Sequence, residues 1–395
     1  TFPQSNKTYY IRVKGVSTGW SAIRTARTVN VGTASNKLWL TGSNTVTSGG
    51  FVTTWTDVLH SNIATQPNAG NQPVLNTIPL LNNMPALSFD GNSSGPDYLT
   101  LNSNVNTTNY DLFVVRDYFN NANPAQFFLG GNSNGFYSKL DAFSCGYRGF
   151  DTGGQIISAN INSLNTNYSI YETQPNINLR NGIVESSFCF NQVANGLSLN
   201  TLGTRPDGPF LAYQGNIAEI ILFDTIINND FNTDINNYLY DKYAPPVNLG
   251  TDTVSGNSFC DSITLDAGNR FVTYNWSNGS TSRYARVSLN NSYSITAKDI
   301  FGRESTDDIL VYPYARLNNM TTFICQGDTF KVDLKTPAGF TALWNTGATT
   351  TKLNISASGQ YTVKVTDGSG CFVYDTINVV IDAPNLSPAP DLSNN

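Results

Sequence analysis

Apolar residues in this chain come in short runs or in strict alternation, and only once with helical spacing. Tyr9, Ile11 and Val13 alternate with polar neighbours, as do Tyr361, Val363 and Val365. A period of two puts such residues on one face of a half-buried strand. Short apolar runs lie between Asn/Gly turns at Leu38-Trp39-Leu40, Leu112-Phe113-Val114-Val115, Phe127-Phe128-Leu129 and Ile217-Ala218-Glu219-Ile220-Ile221-Leu222-Phe223. Many short strands separated by turn residues predict a β-sandwich of jelly-roll type. The exception is a stripe of Phe231, Ile235, Tyr238 and Leu239. Asn228 or Asn229 can cap that helix, Asp230 and Lys242 suit its ends, and Pro245-Pro246 stop it.

The pattern also repeats. Trp276, Tyr293, Asp299 and Asp307 recur 68 residues later as Trp344, Tyr361, Asp367 and Asp375. That period is too long for a solenoid unit and suits a small β-sandwich. Each Trp is followed three residues on by Gly279 or Gly347, which predicts a hairpin turn. Each Tyr opens an alternating strand in the manner of a tyrosine corner. Residues 1–33 read as the last strands of a further sandwich, 34–247 as the jelly roll, 248–315 and 316–383 as the two repeats, and 384–395 as a Pro/Ser linker. With no initiator Met or signal peptide, the chain reads as a piece of a longer protein.

Composition agrees with an all-β reading. Twenty-four Asp against four Glu, with abundant Asn, Thr, Ser and Gly, favour turns and strands over helices. The net charge of −6 without a Lys/Arg cluster argues against a nucleic-acid partner. No apolar run reaches membrane-spanning length. Among the five cysteines, Cys325 precedes the Trp of the second repeat and Cys371 follows its Asp-Gly turn. A Cys325–Cys371 disulfide is expected, with two buried free thiols as the alternative. The first repeat has Arg303 where the second has Cys371, so Cys260 is expected to be unpaired, and a Cys145–Cys189 pairing stays open.

Particular blocks carry a resemblance. Leu38-Trp39-Leu40, Thr54-Trp55-Thr56-Asp57, Asn71-Gln72-Pro73, Pro85-Ala86-Leu87-Ser88-Phe89-Asp90-Gly91 with Asp97-Tyr98-Leu99, and Gly215-Asn216-Ile217-Ala218-Glu219-Ile220-Ile221 resemble, in order, a laminin-G-like (concanavalin A-like) domain of secreted Bacteroidota proteins. The sequence departs from that pattern after Asp57, where Val58-Leu59-His60-Ser61-Asn62 replaces a Ser-Gly-Asn-Gly-type loop. The repeats, with Gly359-x-Tyr361-x-Val363-x-Val365-Thr366-Asp367 and Gly370-Cys371, resemble Ig-like modules of gliding-motility adhesins. The resemblance implies an extracellular protein exported through the outer-membrane machinery of type IX secretion. Asp224-Thr225-Ile226, Asp252-Thr253-Val254, Asp261-Ser262-Ile263 and Asp375-Thr376-Ile377 resemble the O-glycosylation signal of such proteins, Thr253 being the leading candidate.

Enzymes of related architecture need side chains that this sequence does not group together. A retaining glycosidase needs two carboxylates about 5 Å apart. Glu172, Glu185 and Glu219 are scattered, and no Glu-x-Asp-x-x-Glu strand occurs. His60 is the only histidine and no Gly-x-Ser-x-Gly elbow accompanies it. The chain is therefore expected not to be an enzyme. No cofactor is implied beyond calcium, for which Asp57, Asp90 and Asp97 are the candidate ligands; turn formation is the alternative. Tyr137, Tyr147, Arg205, Asp207 and Tyr213 are the candidate sugar-binding residues. The expected function is an adhesin segment that holds an extracellular glycan or surface polymer and uses the repeats as a stalk. A carbohydrate-binding region of a polysaccharide-degrading enzyme and a plain spacer are the alternatives.

Overall fold

A computed structural model describes residues 35–117 (except 93), 126–131, 167–174, 177–184, 197–204, 212–250 and 258–382, the last range apart from 261, 289–290, 312–316 and 318. It also describes isolated strands at 8–11, 14–15, 19–20, 24–27, 135–138, 147–150, 156–159 and 253–254. The protein is all-β with one α-helix among the described residues. It divides into two compact units. The first comprises residues 1–246 with 269–272 and 298–304, and the second the rest, including both Trp-bearing hairpins.

In the first unit the Gln214–Phe223 strand is the hub. It pairs antiparallel with Asp111–Arg116, Met84–Asp90 and Asn36–Ser48. Its apolar run, broken only by Glu219, is dense because both faces are covered. Ile217, Ile220 and Leu222 face a core with Leu38, Trp55, Phe89 and Leu199. Ala218, Ile221 and Phe223 face the helix through Ile235, Leu239 and Tyr243. That helix spans Asn229–Tyr243, and the Asn228 side chain accepts the Phe231 backbone N–H, as an N-cap should. Glu219 lies on the same strand and is fully enclosed. Its carboxylate accepts from Trp39 Nε1 (2.6 Å), Tyr238 Oη (2.9 Å), Lys242 Nζ (2.6 Å) and Tyr243 Oη (2.7 Å). Four donors and one opposite charge satisfy a group that would otherwise be costly to bury. Glu219 therefore fastens helix to sheet.

The second unit contains a sheet ordered Met320–Cys325, Phe372–Asp382, Gly359–Thr366 and Thr341–Trp344. The first pair runs parallel, with Cys325 opposite Asp382. Trp276 and Trp344 are buried, and their indole N–H groups donate to Ser282 and Thr350 carbonyls, both at 2.9 Å. Gly279 and Gly347 close the hairpins with φ of 85° and 86°, which only glycine adopts freely. Tyr293 and Tyr361 donate back to the carbonyls of Ser288 and Ala357.

Candidate functional site

The chemically densest cluster in the first unit was not singled out from sequence. A register shift between Val115 and Arg116 ends the 111–116 strand against the 214–223 strand. Arg116 is wholly enclosed, its guanidinium 4.3 Å from the Tyr171 ring centroid and 4.6 Å from that of Phe128. Asp117 follows, and its carboxylate accepts from the Asn216 backbone N–H (2.5 Å) and Nδ2 (2.6 Å). Burial raises the Asp117 carboxyl, opposed by the Asn216 bonds and the Arg116 charge. Tyr213 Oη donates to the Asp117 carbonyl. Tyr213, expected on a sugar-binding face, is thus corrected to a core residue tied into this cluster. The only sequence sign was a charged pair, Arg116-Asp117, closing an apolar strand.

A carboxylate pair lies beside the helix. Gln174 Nε2 bridges Asp111 Oδ2 and Glu172 Oε1, 2.9 Å from each. Asn232 donates to Glu172 at 2.6 Å. Burial, then the Glu172 charge, pushes the Asp111 carboxyl up to about 8. Burial likewise raises Glu172.

The three proposed calcium ligands are not brought together. Asp57 is buried and spent on its own loop, accepting from the backbone N–H groups of Leu59 (2.9 Å) and His60 (3.1 Å) and from Asn62 Nδ2 (2.9 Å). His60 itself is exposed, 3.4 Å from that carboxylate. Asp90 and Asp97 do meet: the Asp90 N–H donates to Asp97 at 3.0 Å, and the Asp97 N–H donates to Asp90 at 3.3 Å. Burial and the neighbouring Asp90 charge raise the Asp97 carboxyl to about 6. Among the described residues no three His, Cys, Asp or Glu side chains form a metal-sized group. Tyr137 and Tyr147 lie on paired strands, with Tyr137 opposite Arg148 and Ser138 opposite Tyr147. Their side chains, and Arg205, Asp207, Cys145 and Cys189 altogether, fall outside the described residues.

The disulfide is not the expected one. Cys260 pairs with Cys371 (Cα–Cα 5.9 Å), and Cys325 is an exposed free thiol. The parallel register sets Cys325 beside Asp382, eleven residues along the strand from Cys371. At about 3.3 Å per residue that is roughly 35 Å, far beyond disulfide reach. Cys260 comes close instead because Asp367 draws in its neighbours. Asp367 accepts from Ser258 Oγ (2.7 Å) and the Phe259 N–H (2.6 Å). Phe259 packs edge-on against Phe340. Of the proposed glycosylation sites, Thr225 is exposed, whereas Ser262 and Thr376 are half-buried, and the Thr253 side chain falls outside the described residues.

No family model matches the chain, and no curated protein matches it. Solved structures show distant likeness. Trypanosoma rangeli sialidase is 12% identical, with a TM-score of 0.32 over 54% of this chain and 34% of that one. This chain therefore spans about a third of the sialidase's length. Domain 4 of the extracellular GH43 arabinanase AbnA from Geobacillus stearothermophilus, in complex with arabinotriose, is 13% identical with a TM-score of 0.32, over 51% of this chain and 97% of that one. The binding domain of Paraclostridial Mosquitocidal Protein 1 is 9% identical with a TM-score of 0.37, over 67% and 75%. None of them lends a site to this chain at such scores. The expectation that the chain is not an enzyme is nonetheless corrected. A sialidase, an arabinanase and a GH54 α-L-arabinofuranosidase stand among the similar structures, so that expectation is withdrawn, and likenesses this distant assign no catalysis either.

Proposed function

We propose that this chain is a segment of a secreted, multi-domain cell-surface adhesin of the gliding-motility, type IX-exported kind. In this reading the jelly-roll domain holds a glycan or surface polymer and the repeats form the stalk. The observation that carries it is the disulfide between successive repeats, Cys260–Cys371, which spans 111 residues of chain. Disulfides persist in oxidising, extracytoplasmic settings. Tension entering at Cys260 can pass through the bridge to Cys371 and leave along the Phe372–Asp382 strand. The residues between are then relieved of the load, which is what a stalk under pull requires. The ordered sequence blocks that resemble secreted laminin-G-like domains support the same reading.

Antibody raised against the purified chain should stain intact cells of the native host, and non-reducing peptide mapping should recover Cys260 linked to Cys371. Staining confined to permeabilised cells would contradict the surface assignment.

A further inference from the structure

The two repeats fold alike, yet one displays a surface that the other lacks. In the second repeat Ala342, Trp344, Val363, Val365, Ile377 and Val379 point into the core. The alternate positions form the outer face of the sheet. There the register lines up Leu343, Lys364 and Tyr374 in one cross-strand row and Thr341, Thr366 and Phe372 in the next. Phe372, Tyr374 and Leu343 are 50%, 59% and 52% exposed. The Phe372 and Tyr374 rings meet edge-to-face with centroids 5.8 Å apart, and Lys364 Nζ sits 3.9 Å from the centre of Phe372. Further along the same strand Thr376 and Asn378 give a polar stretch. It ends at Val380, which lies opposite the 69%-exposed Phe323.

Sixty-eight residues earlier, Phe372, Tyr374, Leu343 and Lys364 correspond to Glu304, Thr306, Asn275 and Thr296. The first repeat builds the same strands with that polar set, and Glu304 there pairs with Lys298 at 3.2 Å. The module therefore folds without rings at these positions. In the second repeat they are held against water without contributing to the core.

We propose that this face of the second repeat binds a linear acidic polysaccharide lying along the Phe372–Asp382 strand. This rests on the reading of the chain as a glycan-holding adhesin, and it assigns part of that holding to the stalk. Pyranose rings present C–H faces that pack on Tyr374 and on the part of Phe372 that Lys364 does not cover, as amphipathic ligands do on Phe and Tyr. Threonine hydroxyls at 341, 362, 366 and 376 border the rings and can bond sugar hydroxyls. Lys364, the cation between the rings and Leu343, supplies the complement to a uronate carboxylate. A protein partner fits less well. Two half-exposed rings and a leucine offer on the order of 300 Å², against about 800 Å² per side in a stable protein interface. A stripe of aromatic, hydroxyl and again apolar positions suits a polymer.

The test uses the whole chain in affinity electrophoresis through gels containing polygalacturonate or neutral glucomannan. Wild type should be retarded by polygalacturonate. The double variant Phe372→Glu with Tyr374→Thr, which installs the residues of the first repeat, should lose at least tenfold in affinity. Lys364→Thr should lose the preference for the acidic over the neutral polymer. Circular dichroism and an intact Cys260–Cys371 bridge would show that the variants fold. A wild-type chain bound by neither polymer overturns the proposal. Equal retardation of wild type and double variant overturns it too, while leaving glycan binding elsewhere in the adhesin intact. Loss of a wild-type dimer in the double variant, seen by sedimentation, would make the face a self-interface and overturn it as well.

Discussion

Asp111 and Glu172 are two buried carboxyls joined through Gln174, and their position fixes a pH dependence. Asp111 is held near 8 in the fold, whereas an unfolded carboxyl ionises near 4. Between those values the folded chain keeps a proton that the unfolded chain has released. The contribution of this group to stability therefore falls as pH rises from about 4 to about 8. Glu172 is raised as well and acts in the same direction. Asp111→Asn keeps an oxygen to accept from Gln174 and the Ile227 N–H, and removes one of the two charges. Its thermal midpoint should decline less than that of wild type between pH 5 and 8, and should be the higher of the two at pH 8. Parallel curves would show that this pair does not set the pH dependence. Neither carboxylate announced itself in the sequence. Glu172 was weighed only as a catalytic candidate, because nothing local says that Gln174 and Asn232 converge on it.

At the scale of elements, legibility follows sequence distance. The helix was readable to within a residue: its cap, first-turn acid, last-turn lysine and terminating prolines all lie within 20 positions. The hairpin glycines and the Trp–Tyr repeats were readable for the same reason. The bridge was not, because it depends on strand direction and on a partner 111 residues away. A matched pair of turns makes the point. Asp299 and Asp367 each gather backbone N–H groups of their own turn. In the first turn Arg303 fills the remaining oxygen of Asp299, and in the second Ser258 and Phe259 fill that of Asp367. The Arg303-for-Cys371 difference seemed to leave Cys260 without a partner, and it instead marks which turn takes the bridge. Helix docking gives a prediction at the same scale. Glu219→Ala leaves the half-buried Lys242 beside the sheet without its carboxylate and should cost about 2–4 kcal/mol, less than a fully buried pair. Urea unfolding would register it, and a loss below about 1 kcal/mol would mean that the helix is held by apolar packing alone.

Across the whole molecule, the all-β class was visible from patterning, whereas the Cys260–Cys371 bridge was not. On the proposed stalk function, Cys260–Cys371 removes the intervening chain from extension when the protein is pulled. The direct measurement is single-molecule stretching of the whole chain from its two ends, for wild type and for the Cys260→Ser, Cys371→Ser double variant. The 111 residues locked behind the bridge correspond to about 400 Å of contour length at ~3.6 Å per residue. Fully extended, the double variant should exceed wild type by that amount, and wild type treated with reductant beforehand should match the variant. Equal final lengths for oxidised wild type and the double variant would contradict the account.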